Sequence, residues 1–264
     1  EDESIIKNNL EKYIKIYGDD IPVEIHPLIR SEEACIKSTL KIINLAKKCK
    51  SRLHVFHLST KLESELFEKI PIEDKNITSE VCIHHLSFND SNYKQKGSLI
   101  KWNPSIKTKS DQDGLWSALN LDKIDIIATD HAPHTFTEKQ NKYLECPSGG
   151  PLVQHSLIVM FEHFLNKRIS LEKIVEKMCN NPATIFKINK RGFIKEGYYA
   201  DLAILDPKKS QTISSKNIFY KCGWSPFEGE TFNSAVTHTF VNGHLAFERG
   251  LINDSKLGMK IDFK

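Results

Sequence analysis

Apolar residues along the first two-thirds of this chain switch between helical and strand spacing, and the switches predict its elements. Ile5, Ile6, Leu10, Tyr13 and Ile14 recur at helical spacing until Gly18 ends the pattern. A second helical pattern follows Ser31, a good N-cap, with Ile36, Leu40, Ile43 and Leu45 at its apolar positions. From Arg52 to His57 the pattern alternates as a strand does, which puts His57 on the side of Leu53 and Val55 and His54 on the other. Leu58-Ser59-Thr60 then opens a helix with a hydroxyl cap. The run from Ile77 to Ile83 reads as a strand closing on His84-His85, residues 111 to 121 as a helix, and the β-branched run from Ile124 as another buried strand. Strand, helix, strand, helix, strand is α/β order and predicts a parallel sheet.

Helices are expected from Gln154 to Leu165 and from Leu171 to Cys179, with a short one starting at Asn181-Pro182. The character changes at Arg191. Short β runs follow at Gly192 to Ile194, Tyr199 to Asp206 and Ser234 to Val241, and Asn242-Gly243 signals a hairpin into His244 to Phe247. The expected organisation is an α/β part over residues 1–190 and a small β-rich part over residues 191–264.

Composition narrows the class of protein. The 264 residues are 39% hydrophobic and 27% charged, enough to bury a core. Lys and Arg together number 37 against 34 acidic residues, and the +3 balance is spread without a basic block, which argues against nucleic acid as a partner. Six cysteines include no Cys-x-x-Cys pair and suit a reducing, cytoplasmic setting. No apolar run approaches a membrane span, so no membrane partner is expected. The chain opens on Glu1-Asp2-Glu3, without Met, directly before a helical pattern, as a fragment entering a domain midway would.

Candidate chemistry gathers at strand ends. Asp130, His131 and His134 crowd around Pro133 where the Ile124 strand stops, and His57 ends its own strand. In a parallel α/β barrel such ends face the catalytic mouth, where a carboxylate beside imidazoles binds a metal, moves a proton, or does both. The plain alternatives are an Asp capping its turn and an edge-strand His making a structural hydrogen bond. Asn103, before Pro104, offers an amide that is both donor and acceptor, or is simply a turn residue. Gly149 and Gly150 allow close backbone approach to a small ligand in a loop that reads as a candidate lid, although an ordinary turn would need them as well.

Five separated motifs resemble, in order, those of the dihydroorotases of the amidohydrolase superfamily: Phe56-His57-Leu58-Ser59-Thr60, Glu80 to Leu86, Lys101-Trp102-Asn103-Pro104, Ala128 to His134, and Gly197 to Leu202. The resemblance implies the later part of a distorted TIM (β/α)8 barrel followed by a small β-rich segment. It also implies a zinc centre, binuclear in the complete enzyme, that closes N-carbamoyl-aspartate reversibly to dihydroorotate. By residue-to-residue match, His57 and Asp130 become metal ligands, Asp130 also the proton carrier, and Asn103, His134 and Gly149 substrate contacts. A homodimer is one assembly it admits.

The departures shape the alternatives. No two of the eleven histidines form the family's His-x-His pair, the strand-four Lys or Asp has no counterpart, and the strand-five His would stand just ahead of Glu1-Asp2. His26 is a nearby substitute without motif support. Two ligands are too few for a hydrolytic zinc site, so these 264 residues are expected to be inactive alone. Three readings compete: a fragment of an active dihydroorotase; a related cyclic amidase such as a hydantoinase, dihydropyrimidinase or allantoinase; and a non-catalytic dihydroorotase-like subunit that scaffolds a partner.

Overall fold

The structure, a computed structural model, describes all residues 1–264. Its helices are α1 (Glu3–Tyr17), α2 (His26–Ile29), α3 (Glu32–Cys49), α4 (Lys61–Ser64), α5 (Ile83–Ser87), α6 (Tyr93–Lys96), α7 (Lys109–Asn120), α8 (Phe136–Lys139), α9 (Ser156–Leu165), α10 (Leu171–Val175) and α11 (Asn181–Ile185). Strands β1 (Leu53–Val55), β2 (Ile77–Cys82) and β3 (Ile126–Ala128) form one sheet in that order, parallel throughout. No helix is long and apolar enough to cross a membrane.

Local chemistry starts and stops these elements where the spacing puts them. Asp2 accepts from the Ile5 amide to cap α1, and Gly18, at φ 60°, ends it with its own amide on the Ile14 carbonyl. Ser31 and Thr60 cap α3 and α4 through the amides of Ala34 and Glu63. Thr108 and Asp111 cap α7 reciprocally.

The chain forms two compact units, residues 1–154 with 219–226, and residues 155–218 with 227–264. From the later part of the chain, Phe219 to Pro226 pack with the first unit, where the Trp224 indole donates to the His134 carbonyl at 2.8 Å and Tyr220 Oη accepts from the Gln154 amide at 2.9 Å. In the second unit β4 (Leu202–Asp206), β7 (Ala235–Val241), β8 (His244–Glu248) and β9 (Leu251–Ile252) form an antiparallel sheet, and β5 (Gln211–Thr212) pairs with β6 (Thr231–Phe232). Asn242 and Gly243, at φ 53° and 79°, make the expected tight turn between β7 and β8. Gly192 to Ile194 form no strand: Gly192 sits at φ 79°, and a Cβ there would lie 2.4 Å from the Ala183 methyl. Asp201, from the last of the five motifs, accepts from the Arg191 guanidinium and the Asn242 amide, so its work is to tie this sheet together.

A buried ion pair locks β2 to the turn before β3. Lys75 Nζ donates to Asp125 Oδ1 at 2.8 Å and to the Lys123 carbonyl at 2.9 Å, while Asp125 Oδ2 accepts from the Ser79 amide. The two side chains are 2% and 3% exposed, so neither charge can fall back on water. Asp125→Ala should therefore lose roughly 3–5 kcal/mol, because it strands a buried ammonium, whereas Lys75→Met with Asp125→Leu should lose less. Urea unfolding of the 264-residue chain measures both. A single-variant loss of about 1 kcal/mol or less, the worth of a surface pair, would contradict the lock.

Candidate active site

Parallel register puts the ends of β1, β2 and β3 on one side. Cys82 pairs with Ala128 at the end of β2 and β3, and Val55 with Ser79 at the end of β1. Just past two of these ends the backbone turns left-handed at non-glycine residues, His57 at φ 37° and Asp130 at φ 46°. Such conformations are uncommon outside glycine and are held only where the surroundings over-determine them. The strict alternation expected through His57 therefore stops at Val55. The turn re-aims the imidazole, and His57 falls within electrostatic reach of Asp130.

Opposing effects act on the Asp130 carboxyl. Burial raises its pKa most, the His57 ring pulls it down, and Glu80 on β2 pushes it up. Glu80 in turn accepts from or pairs with His54 Nε2 at 3.1 Å, and His54 Nδ1 lies 2.8 Å from Thr78 Oγ1. A half-buried carboxylate and an imidazole converging in this way suit a divalent cation of zinc's borderline character. Glu80 was not singled out from sequence, though its position two residues before Cys82 on the same strand face carried the signal.

The substrate-side candidates are built on a loop fastened by two ammonium groups. Lys139, fully buried, donates to the carbonyls of Lys101, Pro147 and Gly149 at 3.2, 2.8 and 3.0 Å. Lys101 donates to the carbonyls of Tyr143, at 2.7 Å, and Cys146. Burial lowers the Lys139 pKa to about 8, with Cys146 and Lys101 as smaller influences. The segment expected to be a lid is thus stapled at several carbonyls. Gly149 donates to the Lys101 carbonyl at 2.9 Å, and Gly150 bridges to His131. At φ 127°, Gly149 has no room for a side chain: a Cβ would stand 2.5 Å from the Ala132 carbonyl oxygen and 3.4 Å from His134 Cδ2. The structure thereby brings His134 and Gly149 together.

The residues on either side of Asn103 pack on α5. Asn103 Oδ1 is buried without a partner, an acceptor left free for a ligand's donor. Its neighbour Trp102 stacks on His84, and the Pro104 carbonyl lies 3.1 Å from His85 Nε2. His84 and His85, expected at a strand end, instead lie on α5, and His57 acts electrostatically on both. His131 is structural: its Nδ1 accepts from the amides of Leu152 and Val153. So is His26, whose Nδ1 meets Tyr143 Oη at 2.8 Å and whose Nε2 meets the Trp102 carbonyl at 2.7 Å, leaving no nitrogen for a metal.

Burial holds His26, His84 and His85 neutral, the last with its pKa lowered to about 3. The unfolded rings titrate near 6.5, so below that pH the unfolded chain takes up protons that the folded chain refuses. Stability should fall as pH drops from about 6.5 toward the folded values, by up to about 1.4 kcal/mol per pH unit for each ring. In metal-free buffer His85→Gln should show a slope shallower by about one proton between pH 6 and 5. Equal slopes in urea unfolding would mean that His85 is not held neutral.

Residues 17–246 match the amidohydrolase family. The chain is 31% identical to the dihydroorotase of Methanosphaera stadtmanae over 93% of its own length and 56% of that protein's. It is 35% identical to the dihydroorotase of Pyrococcus abyssi over 81% of its length and 50% of that protein's. Among solved structures, the L-hydantoinase (dihydropyrimidinase) of Arthrobacter aurescens superposes with a TM-score of 0.85 at 25% identity, over 95% of this chain and 56% of that one. The chain thus spans about half the length of the relatives it matches, and its fold is the α/β one expected. A match that runs through all three parallel strands and into the antiparallel sheet decides the assignment: the chain belongs to the amidohydrolase family.

Proposed function

We propose that the complete protein is a cytoplasmic, zinc-dependent dihydroorotase, which closes N-carbamoyl-L-aspartate to dihydroorotate with loss of water and runs the reverse ring opening. The observation that carries this reading is that His57 and Asp130, just past the ends of the two strands that flank β2, lie within electrostatic reach of each other, with Asn103 Oδ1 buried and unpartnered and His134 beside Gly149. The named relatives support the choice of substrate.

Zinc held by His57 and Asp130, with further ligands from the rest of the complete protein, supplies Lewis acidity toward water and toward the ring carbonyl. In ring opening Asp130 takes the proton of the attacking water and returns it to the departing ring nitrogen. Asn103 Oδ1 accepts the ring N–H, and His134, fixed by the Trp224 indole on its carbonyl, donates to the substrate carboxylate. A catalytic zinc needs three protein ligands, and these two leave the 264-residue chain inactive alone in this reading.

A second reading, a dihydropyrimidinase acting on uncharged cyclic amides, draws on the likeness to the Arthrobacter hydantoinase. The two part at His134. In the complete enzyme, His134→Ala and Asn103→Ala should each cost on the order of 1.5–3 kcal/mol, about ten- to a hundredfold in kcat/KM on dihydroorotate. On dihydrouracil, which carries no carboxylate, His134→Ala should have little effect. Equal losses on the two substrates, or better wild-type turnover of dihydrouracil, would transfer the assignment to dihydropyrimidinase.

A further inference from the structure

The end of β2 and the start of α5 carry three potential ligands that the proposed reaction does not use. Cys82, His84 and His85 are 0%, 0% and 2% exposed, and one donor atom from each lies within 4.8 Å of the others. Around a tetrahedral zinc, bond lengths of about 2.0–2.3 Å put neighbouring donors roughly 3.3–3.6 Å apart, so small side-chain rotations would gather them.

Hydrogen bonding leaves these atoms in the form a metal needs. The Pro104 carbonyl can only accept, so His85 Nε2 carries the ring hydrogen and donates to it at 3.1 Å. In the neutral ring Nδ1 then bears a lone pair, and that atom is buried without a partner. An imidazole whose far N–H is tied to a backbone carbonyl is the usual posture of a metal-bound His. Neither nitrogen of His84 has a partner. Its ring lies flat on Trp102, with centroids 4.5 Å and planes 9° apart; the stacking accounts for the ring's position but not for two orphaned polar atoms, each costing roughly 1–3 kcal/mol.

We propose that Cys82, His84 and His85 form a second metal site, separate from the His57–Asp130 pair, which takes a thiophilic divalent cation such as Zn2+ through one thiolate and two neutral imidazoles. Binding replaces the thiol hydrogen by the metal: the S–H bond breaks, an S–metal bond forms, and one proton is released. Glu80 and Asp130 place negative charge near the sulfur, which favours a dication there. Three protein ligands leave a fourth position open.

Co2+ supplied during expression of the 264-residue chain tests the site, in a background with Cys49, Cys179 and Cys222 replaced by Ser to remove the thiols that are not buried. One tightly held Co2+ should give a thiolate-to-cobalt charge-transfer band in the near ultraviolet. That band should persist in His57→Ala with Asp130→Ala, and vanish in Cys82→Ser. X-ray absorption of the zinc-loaded background chain should show one sulfur at about 2.3 Å with nitrogen neighbours. A bound metal with only nitrogen and oxygen neighbours, or a thiolate band that survives Cys82→Ser, overturns the proposal. Should Cys82→Ser lose its far-ultraviolet circular dichroism, the background chain decides through its absorption spectrum, and folded chain that retains no metal with sulfur coordination also overturns it.

Discussion

Everything at the candidate site depends on the parallel register of three short strands. Pairing Leu53 with Ile77 and Glu80 with Ile126 fixes where each strand ends relative to its neighbours. Because parallel strands all run the same way, the residues just past their ends gather on one side. Two of those residues then take left-handed backbone, which only a well-packed surrounding maintains in His or Asp. Slip the register by one residue and each strand's side chains change faces, so the carboxylate and the imidazole could no longer meet. The buried Lys75–Asp125 pair, gripping the Ser79 amide, opposes such a slip between β2 and β3.

The loop that follows β3 is organised by a different force. Lys139 and Lys101 are long cationic side chains turned inward, and each satisfies backbone carbonyls that a loop without regular structure would otherwise leave to water. A buried network of this kind is worthwhile only when every member is satisfied. The arrangement gives a short, glycine-containing segment a fixed shape beside His134. Site geometry therefore comes from strand pairing on one side and from charge–dipole contacts on the other.

Much of this was legible in the residues. Gly18, Ser31 and Thr60 act where capping chemistry puts them, and Asn242-Gly243 turns the hairpin it signals. Pattern failed where tertiary contacts set the backbone. Alternation through His57 assumed extended φ, yet the chain turns left-handed there. The apolar run into Ile83 looks the same whether it stays a strand or, as here, enters a helix at Ile83. The loop after His134 read as a candidate lid with two adjacent glycines; its fasteners are backbone carbonyls, which have no letter in a sequence. For the same reason the orphaned nitrogens of His84 and His85 could not be inferred from the His-His pair itself.

The order β1-β2-β3 leaves the outer edges of β1 and β3 with no strand beside them in this chain; beyond β3 only the His131–Gly150 bridge continues the ladder. Open edges template further pairing, and in a parallel sheet the two edges differ in kind. A β3 edge meeting the β1 edge of another copy repeats head to tail, a contact that does not close on a two-fold axis and therefore grows into rings or filaments. Closure of a barrel removes both edges at once. The same strand pairing that assembles the site thus gives this chain two unlike sheet edges, and a further parallel strand laid along either one would extend the ladder.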